Sequence, residues 1–419
     1  MGLISERIRL IQNSDVQICV LPWEVESVVT LKGSFRTHPD IAGGQGITQD
    51  LAIGLLDKGT KAKTKLEIAE YLESAGASIT FSSDGPRVRF SVKCLRKDVN
   101  GVVQLLVEQL TKPRFDTSEL DLLKRRVLAG IERQKQNTSN VARSALSRHL
   151  YSAGHPGHQL PFEDLQEAVK VASLSDIAAY YSERCPFDDV RISVVGDLDH
   201  QEPENWFDEL TLERSDKNSP DDGYDLRALG RAREHVEIAD RNNLDVVFAH
   251  PLDVRTTDPD YLALWTGVFV LGGNFSSRLM STIRDRDGLT YGIRSSLSGM
   301  NSLHGGAWST SVTLSQENLE RGIDATLAEI TAFVESGVTA SELEERKQTL
   351  KGSYQVQLAT TAGLASRVLT NLERGHAMEM IDDHPQRIED LTLSDVNRMI
   401  GKCLTPEKLV IASAGSTAD

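Results

Sequence analysis

Residues 271–295 decide the fold of this chain and read LGGNFSSRLMSTIRDRDGLTYGIRS. The stretch opens with Gly272 and Gly273, continues through a short helix-like segment, and places Arg284 and Tyr291 seven residues apart, on either side of a glycine. Glycines allow another stretch of backbone to approach closely. Arginine offers a planar fork of hydrogen-bond donors and tyrosine a hydroxyl donor. The stretch is therefore a candidate binding or catalytic element.

A structural interpretation of the same residues is also open. The segment reads equally as a solvated, charged helix end that is followed by a strand. Arg284 would then pair with Asp285 or Asp287. Composition and spacing alone do not separate these two interpretations.

The chain repeats its own signals once. Four features occur twice in the same order, at offsets of 219–223 residues. The pairs are Ser91–Leu95 with Ser311–Ser315, Ser118–Leu120 with Ser341–Leu343, Leu174–Ile177 with Leu393–Val396, and Ile192–Gly196 with Ile411–Gly415. Repetition in order at nearly one offset indicates a duplicated domain. A polar stretch with Pro and Gly predicts a linker at 214–227, between domains at 1–213 and 228–419.

Each half mixes strands with long helices. The apolar patterns of the first half predict strands near 16–20, 27–32, 78–82, 88–92 and 191–195, and helices near 49–56, 65–74, 99–110, 118–137 and 141–150. Ser118, with Asp121 three residues later, fits a helix cap. Strands with helices on their flanks predict a layered α+β domain.

Bulk composition narrows the functional classes. Hydrophobic residues make up 39% of the 419 residues and charged residues 26%, as in globular proteins. A net charge of −15 argues against nucleic acid or an anionic membrane as partner. No apolar run reaches the ~18 residues of a spanning helix. The four isolated cysteines, Cys19, Cys94, Cys185 and Cys403, are interpreted as buried reduced thiols.

The duplication, the order of elements and the stretch 271–295 together resemble the M16 metallopeptidase family, which includes pitrilysin, insulin-degrading enzyme and the mitochondrial processing peptidase. The resemblance covers nearly the whole chain and implies two homologous domains, each a mostly antiparallel sheet flanked by helices. It implies that Arg284 and Tyr291 bind substrate and stabilise the transition state at a zinc site. Gly272, Gly273 and Asn274 are the implied substrate-binding residues.

The family's own zinc motif, H-x-x-E-H on a first-half helix, is missing. Counting back from Lys58-Gly59-Thr60, which matches the turn after the motif, the five positions fall on 50–54. Asp50 and Gly54 stand in place of the two zinc-binding histidines, and Ile53 in place of the glutamate that acts as general base. Asp50 is interpreted as a helix N-cap or a surface residue. The third ligand position falls near Ala129 and Gly130. Since His38 is the sole histidine before His149, no histidine pair can share that helix.

Two other groups of ligand-type residues receive structural interpretations. His376, Glu379, Asp382, Asp383 and His384 are interpreted as a solvated helix end that Pro385 terminates. His155 and His158 lie in a loop that is structural in the family. No metal or other cofactor is therefore assigned to this chain.

The presence of Arg284 and Tyr291 without the zinc motif leads to one leading hypothesis and two alternatives. The chain is expected to be a zinc-less M16 subunit that lends Arg284 and Tyr291 to a homologous, zinc-bearing partner acting on peptides. The alternatives are a catalytically inactive structural subunit, similar to the core proteins of a respiratory complex, and a homodimeric peptide binder. Because residues 1–7 show no signal-peptide pattern, a cytoplasmic location is expected, or a periplasmic one if a signal has been removed.

Overall fold

The computed structural model describes residues 2–13, 15–41, 44–212, 226 and 231–417. The strands are β1 (Arg9–Asn13), β2 (Val16–Pro22), β3 (Val28–Arg36), β4 (Ser78–Ser83), β5 (Arg87–Leu95), β6 (Asp188–Gly196), β7 (Arg233–Glu237), β8 (Asn243–Leu252), β9 (Ile293–Ser298), β10 (Gly306–Ser315) and β11 (Val410–Gly415). The α-helices are α1 (Gln45–Gly54), α2 (Lys65–Ser74), α3 (Val99–Thr111), α4 (Thr117–Lys135), α5 (Thr138–Leu150), α6 (Phe162–Val171), α7 (Leu174–Arg184), α8 (Asp208–Leu212), α9 (Tyr261–Gly272), α10 (Leu319–Ser336), α11 (Ala340–Leu358), α12 (Thr361–Arg374), α13 (Met380–Glu389) and α14 (Leu393–Cys403). A π-helix spans Met280–Arg286.

The described residues form two compact units, and each has its own sheet and apolar core. The sheet of the first unit runs β1-β2-β6-β3-β5-β4, with β2 and β6 parallel and the other neighbours antiparallel. The sheet of the second unit runs β7-β11-β8-β10-β9, with β7 and β11 parallel and the others antiparallel. Apart from β1, the two sheets share one strand order. The α+β class, the mostly antiparallel sheets and the duplication are confirmed.

The compact units differ from the continuous halves 1–213 and 228–419 that the sequence predicts. The first unit comprises Met1–Leu128, Gln166–Asp222 and Ser353–Pro385, and the second comprises Ala129–Leu165, Gly223–Gly352 and Gln386–Asp419. Each unit thus takes one segment from the opposite half of the sequence. The predicted linker 214–227 lies, except for Leu226, outside the described residues.

Apolar packing explains why the segments are exchanged. In the second unit, α5 places Val141, Ala145 and Leu146 against Val247 of β8 and Ala412 of β11. In the first unit, α12 packs similarly on β2 and β6, and its Leu364 and Val368 belong to clusters with Leu21 and Cys19. Each exchanged helix therefore covers the open face of a sheet, as a layered α+β domain requires.

Three local predictions need correction. Helix α4 begins at Thr117, so Ser118 lies inside the helix and does not cap it. The carboxylate of Asp116, just before the helix, accepts the backbone N–H of Ser118 (2.8 Å). Asp50 lies inside α1 and is no N-cap, because that helix starts at Gln45, but it is exposed, as the alternative interpretation of a surface residue predicts. Pro385 does not end its helix but sits within α13. Since proline cannot donate a hydrogen bond to the carbonyl four residues back, that carbonyl, Ile381 O, accepts one from the Tyr354 hydroxyl (2.7 Å).

The cysteines match their predicted role. All four are free and buried. Burial raises the pKa of Cys19 to about 12, and it raises the pKa of Cys94 to about 11 together with the charge of Asp98. Thiols of this kind are unreactive. No helix in the described ranges combines the length and the apolar character needed to cross a membrane.

Candidate functional site

Arg284 projects from the last turn of the π-helix. The segment is closed by backbone hydrogen bonds from Gly288 to Arg284 O (3.1 Å) and from Leu289 to Ile283 O (3.0 Å). Ile283 and Leu289 are buried, and Gly288 takes a left-handed backbone with φ of 65°. Arg284 is left half-exposed, 3.6 Å from an oxygen of Asp285 and with its guanidinium carbon 5.8 Å from the ring centre of Phe275.

Tyr291 sits on a turn that is tied to the sheet. The hydroxyl of the preceding Thr290 donates to Thr313 O of β10 (2.6 Å) and accepts the N–H of Gly292 (3.1 Å). Thr290 is buried, whereas Tyr291 is 98% exposed. The turn therefore fixes the backbone while presenting the whole phenol to solvent. Strand β9 begins two residues later, at Ile293.

The two glycines let α9 end tightly against β9. A Cβ on Gly272 would lie 2.3 Å from the Ser295 backbone nitrogen, and one on Gly273 would lie 2.2 Å from the Phe269 ring. The backbone that approaches Gly272 closely is thus this chain's own strand. Asn274 follows and accepts the Ser277 N–H at 3.1 Å through its carbonyl.

These elements surround a cavity of about 620 Å³. Its lining residues come from the end of α9, the Tyr291 turn, β8, β9, β10 and α5; they are Ser139, Asp245, Gly272, Gly273, Asn274, Phe275, Met280, Tyr291, Gly292, Ile293, Arg294, Ser311, Val312 and Thr313. All three implied substrate-binding residues and Tyr291 therefore border one cavity. Arg284 is not one of the lining residues; its guanidinium lies over the ring of Phe275, a lining residue that is 78% exposed.

Two arginines that the sequence did not single out hold this loop in place. Arg278 binds both oxygens of Glu342 (2.9 and 2.6 Å) and lies over the Phe333 ring. Arg346 donates to the Ser276 hydroxyl (2.9 Å) and carbonyl (2.8 Å). A capping pattern at Thr339 and Glu342 was visible in the sequence, but nothing there linked it to Arg278. These contacts fasten both sides of the loop to α10 and α11.

The positions that would hold zinc are apolar or too small. Ile53 is buried in the core. Gly54 packs against Leu123, since a Cβ added at Gly54 would lie 3.0 Å from Leu123 Cδ2. Asp50 is an exposed residue, yet the protein around its carboxyl group partly excludes water and raises the pKa of that carboxyl to about 6. Within the described ranges no group of three or more His, Cys, Asp or Glu side chains could hold a metal ion. These residues do not fit a zinc ion.

Two protein-family models match this chain. Residues 50–161 match the family model described as insulinase (peptidase family M16), and residues 172–350 match the one described as peptidase M16 inactive domain. The chain belongs to the M16 peptidase family. Its resemblance to that family, inferred from residues 271–295 and the duplication, is confirmed.

Relatives within the M16 family span nearly the full chain. The chain is 22% identical to the Helicobacter pylori protein named non-peptidase homolog YmxG, over 87% of this chain and 84% of that one. It is 24% identical to a Bacillus subtilis protein named uncharacterized zinc protease YmxG, over 90% and 89%. The crystal structure of a peptidase M16 inactive domain from Pseudomonas fluorescens superposes with a TM-score of 0.88 at 23% identity, covering 98% of both chains. That structure shares the fold.

The two other groups of ligand-type residues, around Asp382 and around His155, have structural roles in this M16 chain. The Asp382 carboxylate accepts the backbone N–H groups of Ile4 (2.9 Å) and Ser5 (2.8 Å), so this helix end anchors the start of the chain instead of being merely solvated. His155 is fully buried, stacked on Tyr151 and against His304. Burial and the neighbouring charge of His304 lower the pKa of His155 to about 4.

Proposed function

We propose that this chain is a zinc-less subunit of an M16 peptidase, and that Arg284 and Tyr291 serve a zinc site on a homologous partner chain. The observation that carries the proposal is Tyr291, whose side chain is 98% exposed on a turn that Thr290 ties to β10. A large aromatic side chain on a rigid, braced turn at a cavity is typical of a residue that meets a ligand or partner.

The residue types suit peptide hydrolysis. Attack on a peptide carbonyl places negative charge on its oxygen, and a tyrosine hydroxyl placed there stabilises that charge. The guanidinium of Arg284 can hold a neighbouring peptide carbonyl through its fork of donors. In this role Arg284 would exchange its weak contact with Asp285, at 3.6 Å, for substrate.

Strand β9 offers a place for an extended peptide. It is the outermost strand of its sheet in the described part of the chain, and it follows Tyr291 directly. An edge strand presents unpaired backbone groups, to which a peptide can add with little demand on its sequence. We infer that substrate lies along β9 with a scissile carbonyl near Tyr291.

Several observations support the absence of peptidase activity in the isolated chain. Helix α1 presents Asp50 and Gly54 where the family's zinc motif has its two histidine ligands, and Ile53 where it has the glutamate base. A relative in Helicobacter pylori is named a non-peptidase homolog, and residues 172–350 of this chain match the model described as peptidase M16 inactive domain. The zinc would therefore come from another chain.

The second candidate is an inactive structural or peptide-binding subunit, as a homodimer or within a larger complex. Arg284 already contacts Asp285 and Phe275 within its own chain, which favours this candidate. In that case both residues would be dispensable for any hydrolysis by the assembly.

One experiment separates the candidates. The chain is purified alone and with a zinc-bearing M16 homologue from the same cells, and zinc content and peptide cleavage are measured. We expect no stoichiometric zinc and no cleavage with the chain alone, and both with the pair. Zinc near one equivalent in the isolated chain would contradict the proposal. A pair that forms but gains no activity over the homologue would favour the structural candidate.

A further inference from the structure

The sheet of the first unit has a small polar recess beside α12. The recess measures about 300 Å³ and lies where β3, β5 and β4 meet the helix. Its wall includes the hydroxyl groups of Thr80 and Ser82 from β4, Ser91 from β5 and Ser366 from α12. The register places Lys32 opposite Ser91, and Ser91 opposite Thr80, so these side chains share one face of the sheet.

Two cations line the recess, and they differ in their partners. Arg89 is neutralised, because it binds Glu373 and also donates to Asp84 (3.0 Å). Lys32 instead donates its Nζ hydrogen to the neutral Ser366 hydroxyl (2.7 Å), and in the part of the chain that is described no carboxylate pairs with it. Among the described residues that line the recess, Lys32 is therefore the cation without a carboxylate partner, in a chain whose net charge is −15.

We propose that this recess binds a carboxylate group of a peptide, with Lys32 as its counter-ion. The Ser366 hydroxyl donates to Ala362 O (2.9 Å) and accepts from Lys32, which orients the ammonium group. The hydroxyls of Thr80, Ser82 and Ser91 supply neutral donors for a carboxylate oxygen. One free ammonium suits a singly charged carboxylate better than a doubly charged phosphate, which usually recruits several cations or backbone N–H groups.

The position of β4 explains why the carboxylate would belong to a peptide. Within the described residues β4 is the last strand of its sheet. A peptide that adds to β4 as a further strand directs alternate side chains to each face, and one set points toward the recess. The carboxylate is either an Asp or Glu side chain or the free carboxyl end of the peptide. This proposal goes beyond the proposed function, since it requires neither zinc nor a partner chain.

The test measures binding by the isolated full chain. The probe is a fluorescein-labelled peptide of Ser, Thr and Val, prepared with a central Glu or Gln and with a free or amidated carboxyl end. Fluorescence anisotropy at low and high salt gives the dissociation constants. We expect a carboxylate, in one of the two positions, to tighten binding by about tenfold, as one charge-assisted hydrogen bond does. The position that matters identifies the source of the carboxylate.

Matched variants decide whether Lys32 is responsible. Lys32→Met should abolish the preference for the charged peptide, while Lys61→Met, which removes the same charge from an exposed turn, should preserve it. Thermal unfolding of both variants checks that the fold is intact. The proposal is overturned if no probe binds, if neutral and charged probes bind equally, or if Lys32→Met keeps the preference. None of these results bears on the role of Tyr291.

Discussion

The guanidinium of Arg278 binds both carboxylate oxygens of Glu342, with Nε–Oε1 and Nη2–Oε2 distances of 2.9 and 2.6 Å. A third contact, to Gly337 O (3.0 Å), ties the same guanidinium to the end of α10. Burial opposes the ionisation of Glu342, but hydrogen bonds from Arg278 and Thr339 outweigh it and hold the Glu342 pKa below its usual value. The loop that carries Asn274 is therefore anchored by a partly buried ion pair.

We expect Arg278→Met to lower the free energy of unfolding by about 2–3 kcal/mol, the scale of a lost hydrogen-bonded charge in a shielded site. Urea denaturation measures the change. The control is Arg398→Met, which breaks an exposed pair with Asp260 and should lower the free energy of unfolding far less, because exposed ion pairs contribute little to stability. Because the folded-state pKa of Glu342 is lowered, the pair should stabilise above the unfolded pKa near 4.5 and fade as pH falls below it. Equal losses in the two variants would contradict the anchoring role.

Replacing glycine by alanine should change the free energy of unfolding in opposite directions at Gly272, which is in close contact with β9, and at Gly352, which is not. Gly272→Ala must displace β9, since the new Cβ would lie 2.3 Å from the Ser295 nitrogen, and we expect a loss of about 1–3 kcal/mol. Gly352→Ala, in the interior of α11 with open space around it, should instead gain about 0.5–1 kcal/mol. Thermal and urea unfolding of both variants test the pair. A neutral Gly272→Ala would show that the packing at β9 is looser than described.

Local signals made much of the fold predictable. Helix α2 matches its predicted range because Thr64 and Glu67 form a capping box within four residues of chain. The duplicated pairs fall on equivalent elements, such as Ser91–Leu95 in β5 and Ser311–Ser315 in β10. Strand β1 was missed because its side chains are largely exposed and carry no alternating apolar pattern.

Long-range contacts explain what the sequence could not predict. Helix α13 continues through Pro385 because the Tyr354 hydroxyl replaces the missing donor. The exchange of α5 and α12 depends on matching apolar faces that lie far apart in the chain. At the candidate site, spacing pointed to Arg284 and Tyr291, whose roles stay predictions. The walls formed by Asp245 and Ser139 come from remote segments and left no local pattern.

For the proposed function, Tyr291→Phe should slow peptide cleavage by the reconstituted pair by about 10²–10³-fold, since it removes one oxyanion donor. The exposed hydroxyl makes no contribution to the fold, so stability should not change. Steady-state cleavage of a fluorogenic peptide gives kcat and KM. Tyr71→Phe, in the first unit, is the matched control and should keep the rate.

Arg284→Ala should lower kcat/KM of the same pair by about 10- to 100-fold, because a charged donor to a peptide carbonyl is lost. Arg286→Ala serves as the control, since Arg286 lies two residues away and binds Asp287 at 2.7 Å. Both variants remove one charge from the same segment. If they reduce cleavage equally, net charge and not the position of Arg284 accounts for the effect.

Acid should destabilise the second unit through His155. The ring is fully buried against Tyr151 and His304, and its Nδ1 accepts the N–H of Gly157 (2.9 Å). Burial, together with the charges of His304 and His158, lowers the pKa of His155 to about 4, against about 6.5 when unfolded. The unfolded chain therefore binds the proton more readily, and the stability present above pH 6.5 is lost as pH falls toward 4. Between pH 7.5 and 5 this loss should reach about 2 kcal/mol.

The variant His155→Phe tests this assignment. Its free energy of unfolding at pH 7.5 should be lower, because the contact with Gly157 is gone. Its further loss of stability between pH 7.5 and 5 should be smaller than that of the unsubstituted chain by about 2 kcal/mol, the contribution of His155. Urea denaturation at a series of pH values measures both chains, and identical pH slopes would exclude His155 as the titrating group.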